Sequence, residues 1–184
     1  MAIVFIAEVN ASSGTQFLNF TAIPQTYTSL RIMGISNVNY SLSQGLNGQM
    51  SLEFNPASPG SFGSDSKHAW SRLASNNSGW EDPPDLNNLN ENYGAVGSHP
   101  GSAPDSGYYP TSHIIDIYNY RGSDPGDVQY YGTSTCSTYS SNYDHGGYWC
   151  GTYGNGSTGI TGLQIQCAYG NFFEYSKFSL YGRD

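Results

Sequence analysis

The chain has 184 residues with a formal charge of −8, only 11% charged residues and 15% aromatics, among them 16 Tyr and 3 Trp. Its basic side chains are scattered singly, and none lies between Arg72 and Arg121, where Glu81, Asp82, Asp85, Glu91 and Asp105 fall. Binding to nucleic acid or to an anionic membrane surface, either of which needs clustered Lys or Arg, is therefore not expected. Cys136, Cys150 and Cys167 form neither an even set nor a close Cys-x-x-Cys pair, so neither a disulfide framework nor a zinc module is indicated and a reducing cytosol fits the synthesis of the chain.

In chain order, the apolar run Ala2 to Ala7 lacks a basic leader and is interrupted at Glu8, so it reads as a first strand and not as a signal peptide or a membrane span. Asn10 to Gly14 has hairpin chemistry between strands at Ile3 to Val9 and Gln16 to Thr21. A strand at Ser29 to Ser36 follows Pro24, whose missing N–H does no harm between strands. Met50, Leu52 and Phe54 then alternate with Ser51, Glu53 and Asn55, the period of a half-buried strand. From Asn55 to Ser112 the chain is rich in Asn, Ser, Gly and Pro and reads as a long loop insertion apart from a strand at His68 to Leu73 around Trp70.

Strands resume at His113 to Tyr120, Val128 to Tyr131 and Tyr148 to Tyr153, with irregular Gly-, Ser- and Tyr-rich stretches at Arg121 to Asp127 and Gly132 to Gly147. Leu163, Ile165, Cys167 and Tyr169 alternate with Gln164 and Gln166, and Phe178 and Leu180 close the chain on one face of a last strand. About ten strands with frequent turn residues predict an all-β, two-sheet antiparallel sandwich with a ring-rich core. With no composition break, residues 1–184 are expected to be a single domain carrying an insertion at about 55–112.

Chemical signatures are few in the sequence. Cys136, Cys150, His145 and Asp144 lack the spacing of a compact zinc site, and buried thiols are the plainer reading; a Cys136–Cys150 disulfide across a hairpin stays open. His113 and Asp116, three apart on one strand, point to opposite faces, and no nucleophile elbow accompanies them. Glu81, Asp82, Asp85 and Glu91 could supply paired carboxylates for glycoside hydrolysis, but a solvated acidic loop is far commoner. Asp82, Asp85, Asn87, Asn88 and Glu91 gather oxygens without the spacing of an EF-hand loop, so calcium binding is left open. No catalytic residue, metal site or cofactor is expected. Candidate binding residues are Trp80, Tyr93, Tyr108 and Tyr109, aromatics of the insertion that would either meet a ligand or pin the loop to the sandwich.

Phe20-Thr-Ala-Ile23-Pro24-Gln-Thr26-Tyr27-Thr-Ser-Leu30 resembles the N-terminal signature, Phe-x-x-Ile-Pro-x-Thr-Tyr-x-x-Leu, of a family of tailed-phage and prophage virion proteins. Leu52-Glu-Phe54-Asn55, Trp70-Ser-Arg-Leu73, Ile115-Asp-Ile117-Tyr118-Asn-Tyr120, Ile160-Thr-Gly-Leu163 and Phe178-Ser-Leu180-Tyr-Gly182 follow in the family's order. The matches span nearly the whole chain. In physical terms Phe20, Ile23, Pro24, Tyr27, Phe54, Trp70, Phe178 and Leu180 are determinants of the fold: Ile23-Pro24 is a turn, Tyr27 caps an edge, and the two terminal residues are core knobs. The net acidic Arg121 to Asp127 turn departs from the family's short Lys-bearing one.

The resemblance implies a jelly-roll-like sandwich displayed on a phage particle and assembled in the cytoplasm of the bacterial host. Its partners would be the major capsid protein or other virion proteins, with homo-oligomers, a trimer among them, at symmetry axes. Without heptads or shaft repeats, a capsid decoration or cement protein on the outer shell is the first expectation. A receptor- or glycan-binding module of a head or tail fibre, touching host surface glycan, is the alternative.

Overall fold

The computed structural model describes residues 2–12, 14–39, 47–56, 68–76, 79–80, 88–91, 94–100, 110–123, 126–136, 145–154, 158–167 and 170–184. Strands are numbered along the chain. The larger sheet runs, edge to edge, β1 (Ile3–Asn10), β15 (Lys177–Arg183), β3 (Ser29–Ser36), β10 (Thr111–Tyr118), β11 (Val128–Cys136), β12 (His145–Tyr153), β6 (His68–Asn76) and β7 (Gly79–Trp80), with β8 (Asn88–Glu91) also paired to β6. A second sheet has the order β2 (Phe17–Phe20), β13 (Leu163–Cys167), β5 (Asn47–Phe54) and β9 (Gly94–Pro100), and β4 (Val38–Asn39) pairs with β14 (Asn171–Phe172). All pairings among the described residues are antiparallel, and the two sheets form the expected all-β sandwich.

Alternation decides what lies between the sheets. Leu30 and Ile32 of β3, Ile115 and Ile117 of β10, and Phe178 and Leu180 of β15 point inward and are completely buried. From the smaller sheet, Leu18, Phe20, Met50, Leu52, Phe54, Leu163 and Ile165 meet them. Each such side chain contributes roughly 1.5–3 kcal/mol of burial. The polar side chains that alternate with them on β5 and β13 are buried as well: Ser51, Glu53, Gln164 and Gln166 are at most 4% exposed. The half-buried character expected for these strands is therefore corrected to burial on both faces, and the Gln164 amide donates to the Glu53 carboxylate at 3.0 Å within that polar layer.

The Ile23-Pro24 turn is fastened from the far end of β10. The Tyr120 hydroxyl, completely buried, donates to the Pro24 carbonyl (2.7 Å) and accepts from the Tyr27 N–H (3.2 Å). Ile23 is buried, and its N–H donates to the Thr161 carbonyl at 3.0 Å. The Tyr27 ring lies over Gly182 of β15, where a Cβ would collide with it. Residues far apart in the signature thus converge on one corner of the sandwich.

Two expectations differ from what is found. The stretch from Asn55 to Ser112 carries, besides the strand expected around Trp70 (β6), the strands β7, β8 and β9, and β11 and β12 extend well into the Gly132 to Gly147 stretch. Their Gly, Ser and Thr residues read as turn chemistry, whereas several of the glycines seat side chains from facing strands. Gly94 and Gly151 both lie against the Tyr130 ring and hydroxyl, and Gly34 lies against Phe178. The registers also close the question of the hairpin disulfide. Cys136 stands opposite His145 and Cys150 opposite Tyr131, five steps along the ladder or about 17 Å, far beyond the ~7 Å a bridge tolerates, and Cys150 is a free thiol.

Candidate binding face

Sheet alternation that fills the core on one side also decides what the larger sheet shows to solvent on the other. On β3, Arg31, Met33 and Ile35 face out; on β10, Ser112, Ile114, Asp116 and Tyr118; on β11, Tyr131 and Thr133; on β12, Tyr148 and Cys150. The ladder brings these side chains into rows across the strands. Met33 pairs with Ile114, Ile114 with Thr133, and Thr133 with Tyr148. The row beside it runs from Arg31 through Asp116 and Tyr131 to Cys150.

Apolar and aromatic groups stand exposed along these rows and the ones flanking them: Met33 at 44%, Ile114 at 42%, Tyr131 at 51% and Tyr148 at 62%, with Ile35 at 51% opposite Ser112 and Tyr118 at 36% opposite Gln129. Tyr118 and Tyr131 meet edge to face with centroids 6.0 Å apart. Scattered single hydrophobics are ordinary on a protein surface, but these adjoin one another on neighbouring strands. With strands ~4.8 Å apart and ~3.3 Å per residue, the whole face from β1 to β12, polar side chains included, projects to roughly 500 Å².

The charges on this face are tied to each other. Asp116 accepts from Arg31 Nε at 2.7 Å and Arg31 Nη2 at 2.6 Å, a two-pronged contact, and from Arg183 Nη1 at 2.9 Å. These bonds link β10 to β3 and β15, and the carboxylate raises the Arg31 pKa above its ordinary value. Nearer the sheet edge Lys177 pairs with Glu8 at 2.8 Å, and that contact holds the Glu8 carboxyl below its usual range. The ionic groups of the face are thus bonded to one another, and its exposed apolar side chains stand among them.

The residues singled out as binding candidates lie elsewhere. Trp80 is in β7, its backbone opposite Ser75 of β6, while Tyr93, Tyr108 and Tyr109 fall outside the described residues. Of the oxygens weighed for calcium, those of 81–87 also lie outside them, and Asn88 and Glu91 belong to β8. The fold determinants Phe20, Ile23, Phe54, Phe178 and Leu180 are in the core, and Trp70 lies in β6 opposite Gly151. His113 is buried with its Nε2 2.7 Å from the Ser36 hydroxyl, on the opposite side of β10 from Asp116. Sequence reasoning passed over Met33, Ile35, Ile114, Tyr131 and Tyr148 as a group. Their signal was the apolar residues at both alternating positions of Ser29 to Ser36 and of His113 to Tyr118, where one set has to face out.

A pocket of about 300 Å³ lies at the end of the smaller sheet, lined by Asn19, Phe20, Thr21, Ala22, Asn55, Pro56, Thr161 and Gly162. Ala22 and Asn55 have left-handed backbones there (φ 55° and 46°), and Asn55 is occupied in holding the chain together: its Oδ1 accepts from the N–H groups of Thr161 (2.8 Å) and Gly162 (3.1 Å).

No family model matches the chain, and no curated protein matches it. Among solved structures, the CBM2 module of the evolved Dit of Lactobacillus casei BL23 phage J-1 aligns with 96% of this chain and 76% of that one, at 10% identity and a TM-score of 0.28. A likeness at that score carries no argument about what this chain binds.

Proposed function

We propose that the chain is a structural protein of a phage particle, a capsid decoration or cement protein that docks on the outer shell through the exposed face of its larger sheet. The observation that carries this reading is the adjoining exposure of Met33, Ile35 and Ile114 on β3 and β10. Aliphatic side chains gain nothing from hydroxyl-rich ligands, whereas a protein surface buries them and stabilises the contact by ~25 cal/mol per Å². The order of the virion-family motifs along the sequence supplies the phage context. Arg31 and Arg183 share the Asp116 carboxylate, which leaves one positive charge in excess but keeps each of these groups bonded to a partner within the chain when the face is covered.

A second reading draws on the same face. Tyr131 and Tyr148 are the most exposed tyrosines of the patch, and flat rings also stack on sugars, so a glycan-binding fibre module is the alternative. One pair of variants separates the two. Met33→Lys with Ile114→Lys should abolish incorporation into the particle, read by electron microscopy and by mass spectrometry of purified virions, while Tyr148→Ala lowers it only partly. Copies absent from the outer surface of the wild-type shell would overturn the decoration reading. Host-polysaccharide binding by the isolated chain, lost in Tyr148→Ala, would replace it with the fibre reading.

A further inference from the structure

The large sheet ends in a strand of unusual composition for an edge. Among the described residues β1 pairs with β15 alone and is terminal in the sheet, so its other edge presents ladder N–H and C=O groups. Natural edges are usually blunted by Lys, by Pro or by covering elements. From Ala2 to Ala7 the sequence is Ala-Ile-Val-Phe-Ile-Ala, with no charge and no Pro. Apolar groups are exposed on both faces of that strand: Ile3 at 58% and Phe5 at 57% on the outer face, Val4 at 39% on the inner one. The Phe5 ring leans edge to face on Tyr181, with centroids 5.9 Å apart, which continues the candidate binding face to the very edge.

We infer that β1 pairs with β1 of a second copy, antiparallel across a two-fold axis. Edge pairing needs a partner strand that is itself exposed, apolar and free to pair on one side, and β1 of another molecule meets each requirement. The alternation selects the register. With the axis at Val4, Ile3 stands opposite Phe5 of the other copy on the outer face and Val4 opposite Val4 on the inner face, so every exposed apolar group of the strand acquires an apolar cross-strand neighbour. The irregularity in the β1–β15 ladder between Phe5 and Ala7 lies at the end of that segment and bounds it.

Charge permits this approach. Each chain carries −8, which opposes association over most of the surface. At this edge, however, Glu8 is already paired with Lys177 (2.8 Å) and Arg183 with Asp116 (2.9 Å). From β1 across to β12, the outward charged side chains are Arg31, Lys177 and Arg183 against Glu8 and Asp116, a slight positive excess in an acidic molecule. Asp184, whose N–H donates to the Ala2 carbonyl at 3.3 Å, sits at the rim in solvent. The paired sheets become one continuous sheet, and the two candidate binding faces form a single surface of twice the extent. The pairing does not depend on the virion reading, although it would double the area with which such a protein docks.

Light scattering on the full chain tests it. The mass expected is twice 19.9 kDa, returning to 19.9 kDa in Ile3→Lys with Phe5→Lys, at least about tenfold weaker in association, with an unchanged circular dichroism spectrum. Tyr148→Lys, on the same outer face but far from the edge, should leave the dimer intact. A wild-type monomer, or a dimer indifferent to the edge substitutions, overturns the inference and points in the second case to another interface. Hydrogen exchange on the unaltered chain answers without a variant: those amides of Ile3 to Ala7 that point away from β15 should exchange more slowly as concentration rises, and exchange independent of concentration also overturns it. A monomer found on the capsid would refute the pairing and leave the proposed function standing.

Discussion

His68 lies deep in the ring cluster, 1% exposed, stacked on Phe54 (centroids 5.5 Å, 14° between planes) and 4.7 Å from Tyr153. Neither of its nitrogens has a hydrogen-bond partner, and burial pulls its pKa from 6.5 down to about 3. The folded chain therefore keeps this imidazole neutral, while the unfolded chain protonates it near 6.5. Between those values the unfolded state binds more protons, so stability falls as pH drops through the window, by ~1.4 kcal/mol per unit, and is unaffected by this group at higher pH. His68→Phe fits the same ring stack and removes the titration. Urea midpoints at pH 7 and pH ~4.5 should draw apart for the wild type and much less for the variant. Equal acid sensitivity in the two would mean that His68 is not the group that governs it.

Between elements, packing depends on rings seated against backbone. Tyr130 reaches from β11 to Gly94 of β9 and Gly151 of β12, and burial raises the pKa of its hydroxyl, which has no hydrogen-bond partner, well above the ordinary value. A methyl group at Gly151 would meet that ring and also the Ala69 carbonyl on β6, so neither side can yield cheaply. Gly151→Ala should destabilise by at least ~2 kcal/mol in denaturant unfolding, whereas Gly146→Ala, with ordinary clearance around its Cβ, should cost less than ~1 kcal/mol. The same arrangement explains what the sequence let one read. Ser29 to Ser36 is a strand in the structure at the bounds expected, because its apolar residues outnumber its turn formers. Gly94–Pro100 is hard to read as a strand because five of its seven residues are Gly, Ser, His or Pro and only Ala95 and Val96 signal burial. Composition tells that glycines and rings abound, but only the fold shows that they fit together. The candidate face was partly legible, since alternation in Ser29 to Ser36 sets Met33 and Ile35 apart from Leu30 and Ile32; its lateral continuity requires the β3–β10–β11–β12 order, which links strands far apart in sequence.

Over the whole molecule, the charge distribution decides how docking should respond to salt. Across the range covered by the Debye length, ~10 Å at 0.1 M and ~3 Å at 1 M, a contact built on opposite charges weakens steeply. Here the outward ionic groups are already satisfied within the chain, with Asp116 shared between Arg31 and Arg183 and Glu8 held by Lys177, so little unpaired charge is left to attract a partner. The attraction that remains is apolar, and it is opposed at long range by the −8 of the chain when the partner surface is also acidic. Binding of the chain to its shell should therefore hold constant or strengthen as salt rises from about 0.1 M to 1 M, measured by co-sedimentation with particles stripped of it. In the same assay Asp116→Asn, which frees two guanidinium groups on the face, should turn binding to an acidic shell into a salt-sensitive contact. A wild-type contact that is lost as salt is added would place the docking surface away from this face, among charged residues not tied to one another.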